Sequence, residues 1–89
     1  MKLPPTLTLD SAAEALRTLH DAAGRNQGAL AIDASALTAF DTAALALLLQ
    51  AKRLARSGGR AFQVHGAPPK LTQLAQLYGV AELLGLHSA

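Results

Sequence analysis

Apolar residues along this chain switch between two spacings. Short continuous runs alternate with stretches repeating at three and four residues, the signatures of buried strands and of amphipathic helices. After Pro4-Pro5, Thr6–Leu9 is a short β-prone piece. Asp10 or Ser11 then offers an N-cap, and Glu14 lies at capping-box distance. Ala12, Ala15, Leu16, Leu19 and Ala23 follow at helical spacing, and Gly24 gives a stop before a loop at 25–28. Ala29–Ile32 is an unbroken apolar run ending at Asp33, the pattern of a strand buried on both faces. Residues 34–40 are short and mixed. The longest helix is expected from Thr42 to Ser57, closed by Gly58-Gly59. Ala61–His65 reads as a further strand. Pro68-Pro69 opens a helix whose buried face is expected at Leu71, Leu74, Ala75 and Leu77-Tyr78, and Gly79 ends it. Val80–Leu84 adds about one helical turn. The order β-α-β-α-β-α implies an α/β fold with parallel crossovers in a single domain, residues 1–89.

Composition narrows the chemistry. In 89 residues, 51% are apolar and 3% aromatic, so 20 Ala and 18 Leu do nearly all the packing. The absence of Cys excludes a disulfide scaffold, a thiolate zinc site and a catalytic thiol, and is compatible with a reducing cytoplasm. Met1–Pro5 has no apolar run, so no signal peptide is expected, and Ala43–Leu49 is too short to span a membrane. No phosphate-binding glycine loop occurs, and His20, His65 and His87 fall on separate elements, so neither a cofactor nor a metal is expected. No acid–base or nucleophile set is spaced for catalysis. Asp33 and Asp41 sit near the C-terminal ends of the expected strands, where α/β sheets commonly bind ligands; Asp33 could equally close a turn and Asp41 cap a helix.

Charge is unevenly placed. Residues 1–41 carry Lys2, Arg17 and Arg25 against Asp10, Glu14, Asp21, Asp33 and Asp41, net −2. Residues 42–89 carry Lys52, Arg53, Arg56, Arg60 and Lys70 against Glu82, net +4. Without interleaved aromatics the basic group does not describe a nucleic-acid site. It does border an unusual helix face. At about 100° per residue, Ala44, Leu47, Leu48, Ala51, Leu54 and Ala55 form a core stripe, while Thr42, Leu45, Ala46, Leu49, Arg53 and Arg56 fall opposite. Two leucines one turn apart, ahead of a basic end, fit a partner-docking surface with an apolar centre and a charged rim. The alternative is that another part of the chain covers them.

Leu30-Ala31-Ile32-Asp33-Ala34-Ser35, then Phe40-Asp41-Thr42-Ala43-Ala44-Leu45-Ala46-Leu47-Leu48, then Ser57-Gly58-Gly59-Arg60 resemble a STAS domain. In that family a buried strand ends in Asp, and Asp-Ser/Thr followed by small residues and Leu opens a helix. With Leu74-Ala75-Gln76-Leu77-Tyr78, the resemblance is closest to the MlaB-type subunit of Mla phospholipid-transport ABC complexes. It implies a small α/β sandwich with a sheet of about three to four strands and about three to four helices. It also implies a non-catalytic cytoplasmic subunit, peripheral to the inner membrane through its partner. That partner would be the ABC ATPase, assembled with a permease and a substrate-binding subunit, and the process the maintenance of outer-membrane lipid asymmetry. Asp41, Thr42, Leu45, Ala46, Leu49, Arg53 and Arg56 would form the contact. In another branch, the anti-sigma-factor antagonists, the hydroxyl matching Thr42 is phosphorylated by a partner kinase, which is the alternative function here. The chain departs from the family in its short N-terminal segment and in Ala43-Ala44, where Gly often follows the Asp-Ser/Thr pair.

Overall fold

The computed structural model describes residues 1–25 and 28–86. Of the loop expected at 25–28, residues 26 and 27 lie outside the described residues, as do residues 87–89 with His87; Arg25 belongs to α1. The elements are β1 (Thr6–Leu7), α1 (Ala12–Arg25), β2 (Leu30–Asp33), β3 (Ala39–Phe40), α2 (Thr42–Ser57), β4 (Phe62–His65), α3 (Pro69–Leu77) and α4 (Ala81–Leu84). The chain is thus α/β, with four helices and two small parallel sheets, β1–β3 and β2–β4. Leu30 pairs with Phe62 and Asp33 with His65; Thr6 pairs with Ala39 and Leu7 with Phe40.

The N-terminal segment is short but fully used. The Met1 ammonium donates to the Ala31 carbonyl at 2.8 Å. Asp33 N–H donates to Met1 O at 2.7 Å, and Leu3 N–H to Asp33 O at 2.8 Å. Pro4 and Pro5 lack an N–H, so they can only accept, and pairing resumes when Pro5 O takes Thr38 N–H at 2.8 Å and Ala39 N–H at 3.0 Å. One extended segment therefore borders β2 and then β3. The two prolines interrupt its ladder without changing its course.

Burial in β2 alternates. Leu30 and Ile32 are buried while Ala31 and Asp33 are half-buried. β4 alternates as well, with Phe62 and Val64 turned inward. This corrects the expectation that Ala29–Ile32 is buried on both faces: one sheet face carries the core and the other meets solvent, so side chains of period two sort by face. The largest fully buried side chains, Leu3, Leu7, Leu19, Ile32, Leu48, Leu71 and Leu84, come from strands, helices and the N-terminal segment alike.

α2 is the centre of the packing and touches α1, β4, α3 and α4. Its bounds match the expected ones. Asp41 caps its start, and the Gly58 N–H satisfies carbonyls of its last turn. Its buried residues are Ala43, Ala44, Leu45, Leu47, Leu48, Ala51 and Ala55, an arc of about 200°. Leu45, expected on the open face, is only 5% exposed. The expectation assumed one covered stripe. α2 has neighbours on both flanks, and the Leu45 flank is also that of Lys52, whose ammonium donates to the Leu83 carbonyl of α4.

Two further local expectations change. The Ser11 hydroxyl does not form the capping box; it accepts from Thr8 N–H at 3.0 Å and closes the turn before α1. The expected buried face of α3 is displaced. Leu71, Thr72 and Ala75 are buried, Leu74 is half-buried, and Leu77 and Tyr78 are exposed. After β4, Gly66 adopts φ +68, and a Cβ there would lie 2.8 Å from Ser35 Cβ. Both backbone sign and space demand glycine. No helix among the described residues is long and apolar enough to cross a membrane.

Candidate partner interface

The candidate surface is centred on the start of α2. Asp41 holds extended backbone angles, φ −126° and ψ −162°. Its carboxylate works in two directions. Oδ1 accepts from Ala43 N–H at 2.8 Å, the N-cap bond that satisfies an orphan donor of the first turn. Oδ2 accepts from Leu9 N–H at 3.2 Å, across the β1–α1 connection. Of the alternatives weighed for Asp41, the cap is the one formed, and both oxygens have partners inside the chain. The tie to Leu9 also presents that side chain, 79% exposed, near the beginning of α2.

Ala43 and Ala44 need no special backbone. Among the described residues only glycines have positive φ, so alanine replaces the family's glycine in ordinary helical geometry. Both are buried. Small side chains let the first turn of α2 sit close to its neighbours.

Thr42, Ala46, Leu49, Arg53 and Arg56 follow at i, i+4, i+7, i+11 and i+14. That spacing draws one stripe along a helix. Thr42, Ala46, Arg53 and Arg56 are exposed, and Leu49 is half-buried and packed against the core. Thr42 makes no side-chain hydrogen bond among the described residues. The stripe is therefore the expected one without Leu45: Thr and Ala at the start, one leucine flank in the middle, two arginines at the end.

The basic group divides in two. Arg60 donates from Nε to Gly28 O at 2.7 Å and from Nη1 to Ala23 O at 2.8 Å, fastening the end of α1 and the loop after it. Lys52 is tied to α4. Arg53 and Arg56 have no such bonds among the described residues and face solvent.

Asp33 ends β2, and its side chain holds the turn that follows. Its Oδ1 accepts from Ser35 Oγ at 2.6 Å and from Ser35 N–H at 2.9 Å. These bonds to the Ser35 side chain and backbone hold its carboxyl below the ordinary range, with Lys2 and His65 adding to the effect. His65 Nε2 lies 3.1 Å from Gln63 Oε1. No group of three or more His, Asp or Glu side chains among the described residues could hold a metal ion.

One further feature was not disclosed by the sequence. Between β3 and α3 runs an open cleft of about 740 Å3, lined by Thr8, Thr38, Ala39, Phe40, Lys70, Gln73, Leu74 and Leu77. Leu77 is 78% exposed at its rim. The helical spacing of Leu74 and Leu77 was its only sequence signal, and that spacing equally fits a core face.

The family model for the MlaB-type STAS domain matches residues 1–85. The chain belongs to that family. No curated protein matches the chain. The STAS match includes the N-terminal segment, which agrees with its pairing along β2 and β3. STAS domains are generally non-catalytic. The Ser35 hydroxyl donates to Asp33, a bond that fixes a turn. What the site offers chemically is a surface with small side chains at the start of α2, a leucine flank at its middle and cations at its end.

Proposed function

We propose that this STAS domain is a non-catalytic accessory subunit of an Mla-type ABC phospholipid transporter. In this reading it binds the cytoplasmic ATPase subunit through the exposed stripe of α2 and supports that subunit's assembly and activity. The complex would include the permease and the substrate-binding subunit, and the domain would lie on the cytoplasmic side of the inner membrane through its partner alone. The observation that carries the reading is the stripe Thr42–Ala46–Leu49–Arg53–Arg56, exposed except at the half-buried Leu49, on the helix that opens at the family's Asp-Ser/Thr pair. Its apolar centre would supply affinity, and Arg53 and Arg56 would steer encounter with an acidic surface, an effect screened by salt.

Ala46 gives the cleanest test, because it is exposed and a longer side chain there leaves the core intact. Ala46→Asp is expected to keep the wild-type circular dichroism and melting curve while abolishing co-purification of the ATPase and permease from native membranes. Retained capture at wild-type yield would remove α2 from the interface. A second reading rests on the exposed Thr42 hydroxyl at the first turn of α2, where a phosphate would meet the positive end of the helix dipole. Capture of a soluble kinase in place of the ATPase, with phosphate found on Thr42, would establish the anti-sigma-factor antagonist instead.

A further inference from the structure

The sheet that contains β2 has two edges, and the chain treats them differently. On one side of β2 lies the segment Met1–Leu3, with Lys2 within it and Pro4 and Pro5 directly after. A lysine and prolines along an edge discourage a further strand from joining it. On the other side lies β4, which among the described residues pairs only with β2. Phe62–His65 include no Lys, Pro or Gly, and their register with β2 is regular, with no bulge. Ala61 O accepts from Leu30 N–H at 2.7 Å, and His65 O from Ala34 N–H at 2.8 Å. Backbone groups alternate in direction along a strand, so Ala61, Gln63 and His65 face β2 while Phe62 and Val64 turn their N–H and C=O outward. No described residue pairs with these outward groups. The Phe62 and Val64 side chains are half-buried, and Gln63 and His65 are exposed.

This edge is complementary to itself. A second β4, run antiparallel about a two-fold axis at Gln63, sets Phe62 opposite the partner's Val64 and Val64 opposite the partner's Phe62. Both outward residues are then used, each pair exchanging both its N–H···O bonds. An aromatic ring meets a β-branched side chain on the core side of the sheet. The two Gln63 amides meet on the solvent side, His65 falls opposite the partner's Ala61, and no like charges are opposed. A register shifted by two residues would draw in Arg60, already bonded to Ala23 and Gly28, or Gly66, at φ +68. We propose that the free edge of β4 is a self-association surface whose occupant is a second copy of this chain, paired antiparallel in this register. The match of the strand to itself in bonds, side-chain size and charge selects that occupant. Two strands this short cover less than the roughly 1,200 Å2 of a stable interface, so the dimer dissociates on dilution. The inference does not depend on which partner meets the α2 stripe.

Sedimentation equilibrium of the whole chain at rising concentration is expected to show a reversible monomer–dimer equilibrium. Gln63→Lys sets two ammonium groups against each other at the axis without touching the core, and should raise the dissociation constant about five-fold. Val64→Pro removes one outward donor from each strand, at a position where an edge tolerates proline, and should leave only monomer. Circular dichroism checks both folds; should Val64→Pro not fold, Gln63→Lys and crosslinking decide. The chain has no Cys, so single cysteines report the register. Residues opposed in a non-hydrogen-bonded pair have Cα atoms about 4.5 Å apart, within disulfide range. Gln63→Cys should therefore oxidise to a covalent dimer about ten-fold or more faster than His65→Cys or Ala46→Cys. Monomer at every concentration overturns the inference, as does a dimer indifferent to Gln63→Lys. Faster crosslinking of Ala46→Cys overturns it by moving self-association to the α2 stripe. Oxidation in a cell extract that joins Gln63→Cys to another protein, and not to itself, overturns it by giving the edge to a foreign strand.

Discussion

α2 and α3 are both amphipathic, leucine-rich and packed on the same core, yet they are enclosed to different degrees. α2 has neighbours on both flanks and beneath it, α1, β4, α3 and α4. Its buried arc accordingly takes in Leu45, which a single-stripe helix would leave outside. α3 makes its main contacts with α2 and α4. It buries Leu71, Thr72 and Ala75 and leaves Leu74 and Leu77 along an open cleft. A leucine's fate is set by how many elements reach its side of the helix. Hydrophobicity alone does not decide it, because a folded protein keeps much apolar surface in contact with water.

The largest effects test this contrast directly. Leu48 is fully buried in α2 and Leu77 is on the surface of α3. Leu48→Ala is expected to cost about 2–5 kcal/mol, as cavity-forming truncations do. Leu77→Ala should stay within about 0.5 kcal/mol of wild type, as surface changes do. Urea denaturation of the two variants measures both, and comparable losses would show that the cleft is closed in solution. Leu45 sharpens the comparison: Leu45→Asp should unfold the chain by near-ultraviolet and far-ultraviolet circular dichroism, where its neighbour Ala46→Asp leaves it folded. A folded Leu45→Asp variant would return that residue to the exposed face.

A smaller effect is expected at Asp41. Removing its carboxylate deletes the cap bond to Ala43 and the tie to Leu9, and Asp41→Ala should cost about 0.5–2 kcal/mol, the range for an N-cap. Hydrogen exchange at the Leu9 and Ala43 amides should rise while that of the last turn of α2 does not. Uniform change along α2 would mean the cap acts on the whole helix and not on its junction with the β1–α1 connection.

The smallest effect concerns pH. The folded Asp33 carboxyl is held below its ordinary range by Ser35. Its charged form is therefore favoured by folding. The resulting stability is present above the unfolded value, near pH 4, and is lost as pH falls through the lower folded value. The denaturation midpoint of wild type should decline below about pH 4 more steeply than that of Asp33→Asn. Equal slopes would show that the Ser35 turn adds nothing to acid sensitivity.

Much of this molecule is set by local pattern. The alternation of strands and helices apart from the short β3, the Thr42–Ser57 bounds of α2 and the stop at Gly58-Gly59 follow from spacing, caps and breakers that act within a few residues. The stripe Thr42, Ala46, Arg53 and Arg56 was legible for the same reason: helical period places residues on a common side whatever the helix packs against. The Asp-Thr pair between a strand and a helix was sufficient to suggest the family.

Other features needed the fold. The N-terminal segment acquires its place by pairing Met1 to Leu3 with Ala31 and Asp33, and Pro5 with Thr38 and Ala39. Arg60 turns from a surface charge into a fastener only because Ala23 and Gly28 arrive beside it. Lys52 does so because α4 does. Leu45 goes inward and Leu77 outward because of which helices lie alongside them. Each of these depends on contacts about 30 residues apart or between separate helices. Residue type and period fix which face a side chain is on; the number and position of distant neighbours fix whether that face is covered.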